Sequence, residues 1–153
     1  MIRKFEKSDI NDVMQIWENE NIKAHKFISK EYWKSNYNYV KEVLPNVEIY
    51  VYIIEKRVVG FIGLNNNYIE GLFIDSKNQG KGIGTYLVNK AKEQKENLIL
   101  SVYKKNTNAI NFYKKNDFAI TSESIDKKTN EIEYIMIWNK KSLNINKNKH
   151  CNI

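Results

Sequence analysis

The segment that most constrains this chain is an apolar strand that continues through a glycine-rich loop into a helix. Residues 68–74 favour a β-strand, residues 84–94 carry apolar side chains at helical spacing, and Gln79-Gly80-Lys81-Gly82-Ile83-Gly84 lies between them. Three glycines in five residues allow positive φ angles and a close approach of the backbone to a ligand. The first amides of a helix lack intrahelical partners and lie at its positive end, so this loop predicts a phosphate site.

The spacing of these glycines excludes two common phosphate motifs. A dinucleotide-binding fold needs Gly-x-Gly-x-x-Gly, but this loop has Gly80, Gly82 and Gly84. A P-loop needs Ser or Thr after its Gly-Lys pair, but Gly82 follows Lys81. The alternative is a turn that only caps a helix. The complete order of strand, loop and helix favours the phosphate site.

The remaining patterns predict one mixed α/β domain over residues 1–138. A strand at residues 2–5 precedes a helix that Ser8 caps and that ends near Asn19, and Pro45 stops a second helix. The later elements are strands at 47–54 and 57–64 that the turn Glu55-Lys56 joins into a hairpin, a strand at 68–74, a helix at 84–94, a strand at 98–102, a helix at 108–115, and strands at 118–125 and 133–138. Residues 139–153 are polar and aperiodic, which predicts a disordered tail.

Composition and charge limit the class of protein. The 153 residues carry a net charge of +7, but four lysines in the last fifteen residues leave about +3 on the rest, so we expect no nucleic-acid partner. The chain has no run of 18 apolar residues and no signal-peptide pattern, which predicts a cytoplasmic protein without a membrane span. Cys151 is the single cysteine, so we expect no cysteine-based zinc site. We expect a monomer or a homodimer.

Two motifs resemble those of the GNAT superfamily of N-acetyltransferases. The first, Gln79-x-x-Gly82-x-Gly84, is similar to the family pattern Q/R-x-x-G-x-G/A. The second, NTNAINFYKKNDF over residues 106–118, is similar to N-x-x-A-x-x-F-Y-x-x-x-G-F. Asp117 stands where that pattern has glycine, so we expect a left-handed aspartate there. Residues 16–17, 24–28 and 73–75 also resemble the small bacterial YjaB-type acetyltransferases of this superfamily.

The resemblance implies a GNAT fold and a co-substrate. The fold is a central, mixed, mostly antiparallel twisted sheet of about seven strands with helices on both faces, in which strands four and five splay apart for the cofactor. The co-substrate is acetyl-CoA, and no metal is implied. The residues that would bind it are the main chain of Leu72, Phe73 and Ile74, the pyrophosphate loop Gln79, Gly80, Lys81, Gly82, Ile83, Gly84 and Thr85, and the side chains of Asn106 and Asn111.

The reaction implied is direct transfer of an acetyl group to an amine, which requires an acid for the departing CoA thiolate. Tyr113 matches the proton donor of the family. The alternative is a core tyrosine on the helix face that Ala109 and Ile110 share. We therefore name Tyr113 as the candidate acid.

The base that deprotonates the amine has two candidates. Some members of the superfamily place a glutamate on the fifth strand, where this chain has Ser101. Glu70 interrupts an otherwise apolar strand, and strict alternation puts it on the face of Leu72 and Ile74. His25 lies between the first two helices and has a suitable ordinary pKa. A solvated strand end and a structural histidine are the respective alternatives.

The acceptor is open from the sequence. The aromatic residues of the first third favour an enclosed pocket, and hence a primary amine of a small molecule or amino acid. A protein lysine or a peptide N-terminus is the first alternative. A catalytically weak acetyl-CoA sensor is the second, because Ser101 replaces the fifth-strand glutamate, and a basic nucleic-acid binder is the third.

Overall fold

A computed structural model describes residues 1–141, which divide into two compact units, residues 1–89 and 90–141. In chain order the elements are β1 (Ile2–Lys4), α1 (Ile10–Ala24), α2 (Lys30–Val43), β2 (Glu48–Ile54), β3 (Arg57–Asn65), β4 (Tyr68–Ile74), α3 (Ile83–Gln94), β5 (Asn97–Tyr103), α4 (Thr107–Lys115), β6 (Ala119–Asp126) and β7 (Glu131–Asn139). The predicted mixed α/β class with seven strands is confirmed. The predicted single domain over residues 1–138 stays a prediction, and the predicted disordered tail lies outside the described residues from position 142 onward.

The first unit is an antiparallel sheet covered by two helices. Its strands lie in the order β1-β2-β3-β4, and the turn Glu55-Lys56 joins β2 to β3 with φ angles of 49° and 66°, as the hairpin prediction requires. Helix α1 packs against α2, β3 and β4. The core of this unit includes a cluster of Val13, Met14, Ile16, Leu44, Ile49, Val51, Val58 and Phe61.

The first helix begins later than predicted. Ser8 lies in a 3-10 turn, Lys7–Asp9, and α1 begins at Ile10. The capping interaction belongs to Asp9, whose Oδ2 accepts a hydrogen bond from the main-chain N–H of Glu6 at 2.8 Å. The prediction that Ser8 caps the helix is therefore wrong, because Asp9 is the N-cap of α1 and the reciprocal capping box of Glu6 and Asp9 closes the preceding 3-10 turn.

The same helix also ends later than predicted. It continues past Asn19 to Ala24 because the next polar side chains are buried and have partners. Asn21 donates from Nδ2 to the carbonyl of Trp17 at 2.9 Å, and Glu20 accepts hydrogen bonds described below. The polar residues after Asn19 predicted a helix end, but their side chains are buried and hydrogen-bonded, so the helix continues through them.

Strand β4 contains a β-bulge at Glu70. In the pairing of β3 with β4, Gly63 lies opposite Gly71, but the next pair is Leu64 with Ile69. Glu70 is therefore the extra residue on β4, and the regular alternation of side chains is interrupted there.

The bulge places Glu70 on the other face from the one predicted. A Cβ atom built on Gly63 would lie 4.0 Å from Cβ of Glu70, so the two residues share a face. Gly71 pairs with Gly63 and lies on this same face. Leu72 and Ile74 alternate with Gly71 along β4, so they lie on the opposite face. The prediction that Glu70 shares their face is wrong, because it assumed strict alternation through the strand.

The second unit has strand order β5-β7-β6, with both pairs antiparallel. Its core includes Leu98, Leu100, Val102, Ile110, Phe118, Met136 and Trp138. After α4 the chain turns at Asp117 with a φ of 72°, which confirms the predicted left-handed aspartate. The amine of Lys92 donates to the carbonyl of Asn116, so a half-buried cation satisfies the C-terminal end of α4.

Candidate active site

The glycine-rich loop has the backbone geometry that the sequence predicts. Gly80 and Gly82 adopt φ angles of 78° and 82°. A Cβ at Gly80 would meet no atom within 4 Å, and one at Gly82 would approach only the Tyr86 ring, at 3.9 Å. The loop therefore borders open space immediately before the amino end of α3, where main-chain amides point outward and the helix dipole is positive.

Four further residues of this loop were predicted to contact a phosphate. Ile83 is buried and fixes the first turn of α3, whereas Gly84 and Thr85 are half-buried. Lys81 is exposed, and its amine donates to Asn78 Oδ1 at 3.1 Å. Because the two glycines lack a Cβ atom, they leave open space beside the Lys81 cation and the amino end of α3. A pyrophosphate group fits in this space.

The side chain of Gln79 points back into the protein. Its Nε2 donates to the carbonyl of Ile74 at 2.9 Å and to Glu20 Oε2 at 3.4 Å. Glu20 is a buried carboxylate of α1 that sequence reasoning missed. The sequence does contain an indication of this buried acid. Glu20 follows Val13 and Ile16 on the apolar stripe of α1, where an acid without a partner would be costly to bury.

A cavity of about 400 Å³ lies in the first unit and brings Glu70 together with apolar side chains. Helices α1 and α2 form one wall and strands β2, β3 and β4 the other. The lining residues are Trp17, Tyr39, Val40, Val43, Leu44, Val47, Ile49, Phe61, Gly63, Asn65, Glu70, Gly71 and Phe73. Glu70 is the one carboxylate in this lining, and Asn65 donates to it from Nδ2 at 3.5 Å.

Two glycines of the sheet shape the floor of this cavity. A Cβ at Gly63 would lie 4.0 Å from both Glu70 Cβ and Ile49 Cγ1, so the missing side chain leaves room beside the carboxylate. A Cβ at Gly71 would lie 2.5 Å from Cε2 of Phe73, because that ring covers Gly71. The lining next to Glu70 is thus mostly apolar, and it contains one negative group, the exposed carboxylate of Glu70.

His25 belongs to an aromatic cluster. It is buried, its ring stacks on Trp33 with centroids 5.2 Å apart, and Phe27 meets it edge-on at 5.7 Å. Nδ1 donates to the carbonyl of Asn21 at 3.0 Å. Burial lowers the pKa of His25 below its usual value, against the opposing effect of the Asn21 hydrogen bond. These contacts favour a neutral, structural imidazole.

The predicted residues of β4 and α4 lie on the two separate units. Leu72, Phe73 and Ile74 are half-buried in β4. In the second unit, Asn106 caps α4 by accepting from the main-chain N–H of Ala109 at 3.2 Å, and Asn111 is exposed.

Tyr113 lies on the inner face of α4. Its side chain is buried, and its ring packs edge-on against Phe112 and Phe118 with centroid distances of 5.3 and 5.4 Å. These neighbours hold the ring in one orientation, so substituting phenylalanine would preserve its packing.

Neither a candidate membrane span nor a metal-binding cluster is found in residues 1–141. Within that range no helix has the length and apolarity that a membrane span requires. No three His, Cys, Asp or Glu side chains of the described part cluster closely enough to bind a metal ion together.

Comparison with known proteins gives the family. The family profile described as "Acetyltransferase (GNAT) domain" matches residues 45–120. The peptidyl-lysine N-acetyltransferase YjaB of Escherichia coli is 32% identical over 124 residues, which cover 80% of this chain and 84% of that protein. This chain belongs to the GNAT acetyltransferase family.

Two further comparisons agree with this membership. The peptidyl-lysine N-acetyltransferase YiaC of Escherichia coli is 28% identical over 140 residues, covering 90% of this chain and 96% of that protein. The solution structure of apo YjaB from Escherichia coli superposes with a TM-score of 0.81 at 28% identity, covering 90% and 96% of the two chains. The GNAT fold and the acyltransferase class predicted from the two motifs are confirmed.

Proposed function

We propose that this GNAT protein transfers the acetyl group of acetyl-CoA to the ε-amine of a lysine side chain in a protein or peptide. The observation that carries the proposal is the cavity whose lining includes Glu70. A lysine side chain combines an apolar four-carbon stem with a terminal cation. The cavity offers apolar walls for such a stem and a single carboxylate for such a cation.

The names of the relatives support the same acceptor. YiaC and YjaB are both named peptidyl-lysine N-acetyltransferases. This favours the protein acceptor over the small-molecule amine that the aromatic residues had suggested. A small amine stays the second candidate, because a cavity of about 400 Å³ is also large enough for a whole small molecule.

Acetyl-CoA as the donor is supported by the loop before α3. Gly80 and Gly82 leave space for a pyrophosphate, Lys81 supplies a positive charge, and the first amides of α3 supply hydrogen-bond donors. Following the family motif, Asn106, Asn111 and the main chain of β4 would bind the pantetheine arm.

The proposed chemistry needs two proton transfers by side chains. A lysine ammonium has a pKa of about 10.4, so its deprotonation at pH 7 costs roughly 4.6 kcal/mol. Glu70 accepts this proton, directly or through water, and the amine nitrogen then attacks the thioester carbon. As the C–S bond breaks, Tyr113 donates a proton to the sulfur. As the amide forms, the second amine proton restores the Tyr113 hydroxyl, and Glu70 releases its proton to solvent, so the reaction yields the acetylated lysine, CoA and one proton.

The assignment of the base is tested by the pH profile of kcat/KM. We expect Glu70→Gln to lower kcat/KM by roughly 100-fold and to remove the acidic limb, because the amide cannot accept the proton. We expect His25→Gln to leave the limb in place, because His25 is buried and bonded to Asn21. The measurement is initial-rate release of CoA with a lysine peptide from acidic to neutral pH.

A stability control is needed because His25 itself titrates. Its folded pKa is lowered, so the unfolded state binds the proton more readily and the free energy of unfolding falls as the pH drops below about 6.5. Melting curves at each pH separate this loss of stability from a change in catalysis.

Loss of the acidic limb in His25→Gln alone would identify His25 as the base. A limb that survives both changes would mean that bulk water takes the proton, and neither residue would be the base.

A further inference from the structure

Helix α1 holds the phosphate loop through a buried carboxylate. Glu20 is only 7% exposed, and its carboxylate accepts several hydrogen bonds and forms an ion pair. Ser76 donates from its main-chain N–H at 3.2 Å, and its hydroxyl is shared between both carboxylate oxygens, at 2.9 Å from Oε2. Gln79 donates from Nε2 at 3.4 Å, and the Lys23 amine lies 3.6 Å away.

These contacts span both ends of the segment that leads into the loop. Ser76 opens the 3-10 turn after β4, and Gln79 is the last residue before Gly80. Gln79 also donates to the carbonyl of Ile74, so its side chain ties the end of β4 to the start of the loop. One carboxylate therefore fixes the backbone on which the following glycines stand.

From this arrangement we infer that Glu20 is a positioning residue for cofactor binding: it orients the loop amides and contacts no phosphate itself. The inference rests on the proposed use of acetyl-CoA. Preorganised donors bind without a further entropic cost of ordering, whereas a loop released from Glu20 would have to be ordered by the ligand.

Removing the charge of Glu20 should change the affinity for acetyl-CoA in opposite directions, depending on whether Glu20 acts by repulsion or by positioning the loop. A negative group near a phosphate site repels a polyanion, so removing the charge would tighten acetyl-CoA binding if electrostatics alone mattered. If Glu20 positions the loop, removing the charge weakens binding. The carboxylate accepts hydrogen bonds from Ser76 and Gln79 at two oxygens, whereas an amide has only one acceptor oxygen.

The experiment is calorimetric titration of acetyl-CoA into the full chain and its variants. We expect Glu20→Gln to raise the Kd roughly tenfold and Ser76→Ala to raise it by a similar factor. The double variant should be little weaker than either single one, because both changes break the same interaction. Glu18→Gln, which removes an equal charge two residues away on α1, serves as the matched control and should leave the Kd unchanged.

Kinetics separate positioning from a merely structural role. At saturating acetyl-CoA the kcat of Glu20→Gln should equal that of the wild type, while its KM for acetyl-CoA rises. Unchanged or tighter binding in Glu20→Gln would overturn the inference, and so would unchanged binding in Ser76→Ala if Glu20→Gln fails to fold. If the wild type itself does not bind acetyl-CoA, the proposed function fails instead.

Discussion

Replacing Tyr113 with phenylalanine should lower kcat by roughly 10²–10³-fold, because the variant lacks the hydroxyl that protonates the departing thiolate. The ring would keep its contacts with Phe112 and Phe118, so the free energy of unfolding should change by no more than about 1.5 kcal/mol. The measurement is the rate of CoA release at saturating concentrations of both substrates, alongside a thermal melt.

A matched variant in the same unit gives the opposite pattern. The hydroxyl of Tyr103 donates to Asp126 Oδ2 at 2.6 Å, so Tyr103→Phe removes a structural hydrogen bond. This variant should melt at a lower temperature and keep its kcat. Full activity in Tyr113→Phe would identify Tyr113 as a core residue without a role in proton transfer.

Replacing Gly82 with valine should bring acetyl-CoA binding below the detection limit of calorimetry. The φ of 82° is unfavourable for a β-branched residue and costs about 1–3 kcal/mol, but a Cβ atom at this position would meet only the Tyr86 ring, at 3.9 Å. The space around this position is the one assigned to the pyrophosphate, so the ligand rather than the fold would meet the added atoms.

Gly82→Asn separates blocked binding from backbone strain. Asparagine adopts the left-handed region more readily than valine, so this variant should melt close to the wild type and still fail to bind. Wild-type affinity in either variant would contradict the assignment of the loop.

Local chemistry made the loop and the turns predictable from sequence. Gly80 and Gly82 adopt positive φ angles, which the three glycines of the loop were expected to allow, and Asp117 adopts the left-handed conformation expected of an aspartate in a glycine position. Glu55 and Lys56 form the expected two-residue turn between strands. In each case the residues that determine the conformation are adjacent in the chain, so a short segment contains the necessary information.

The side-chain directions that depend on distant partners were not predictable in this way. Glu70 points into the cavity because β4 bulges against β3, and a bulge has no signature in a pattern of alternation. Glu20 acquires its role from Ser76, which lies 56 residues later in the chain. His25 could be read as a base or as a structural residue until its stacking on Trp33 and its bond to Asn21 were visible.

The most direct test of lysine acetylation is mass spectrometry of an N-terminally blocked peptide after incubation with the protein and acetyl-CoA. The peptide should carry one lysine, and a matched peptide with arginine in its place serves as the control. We predict that the lysine peptide gains one acetyl group, that CoA is released in equal amount, and that the arginine peptide stays unmodified. Acetylation of free small amines without any modification of lysine peptides would contradict the proposed acceptor, and the absence of CoA release with every amine would contradict catalysis itself.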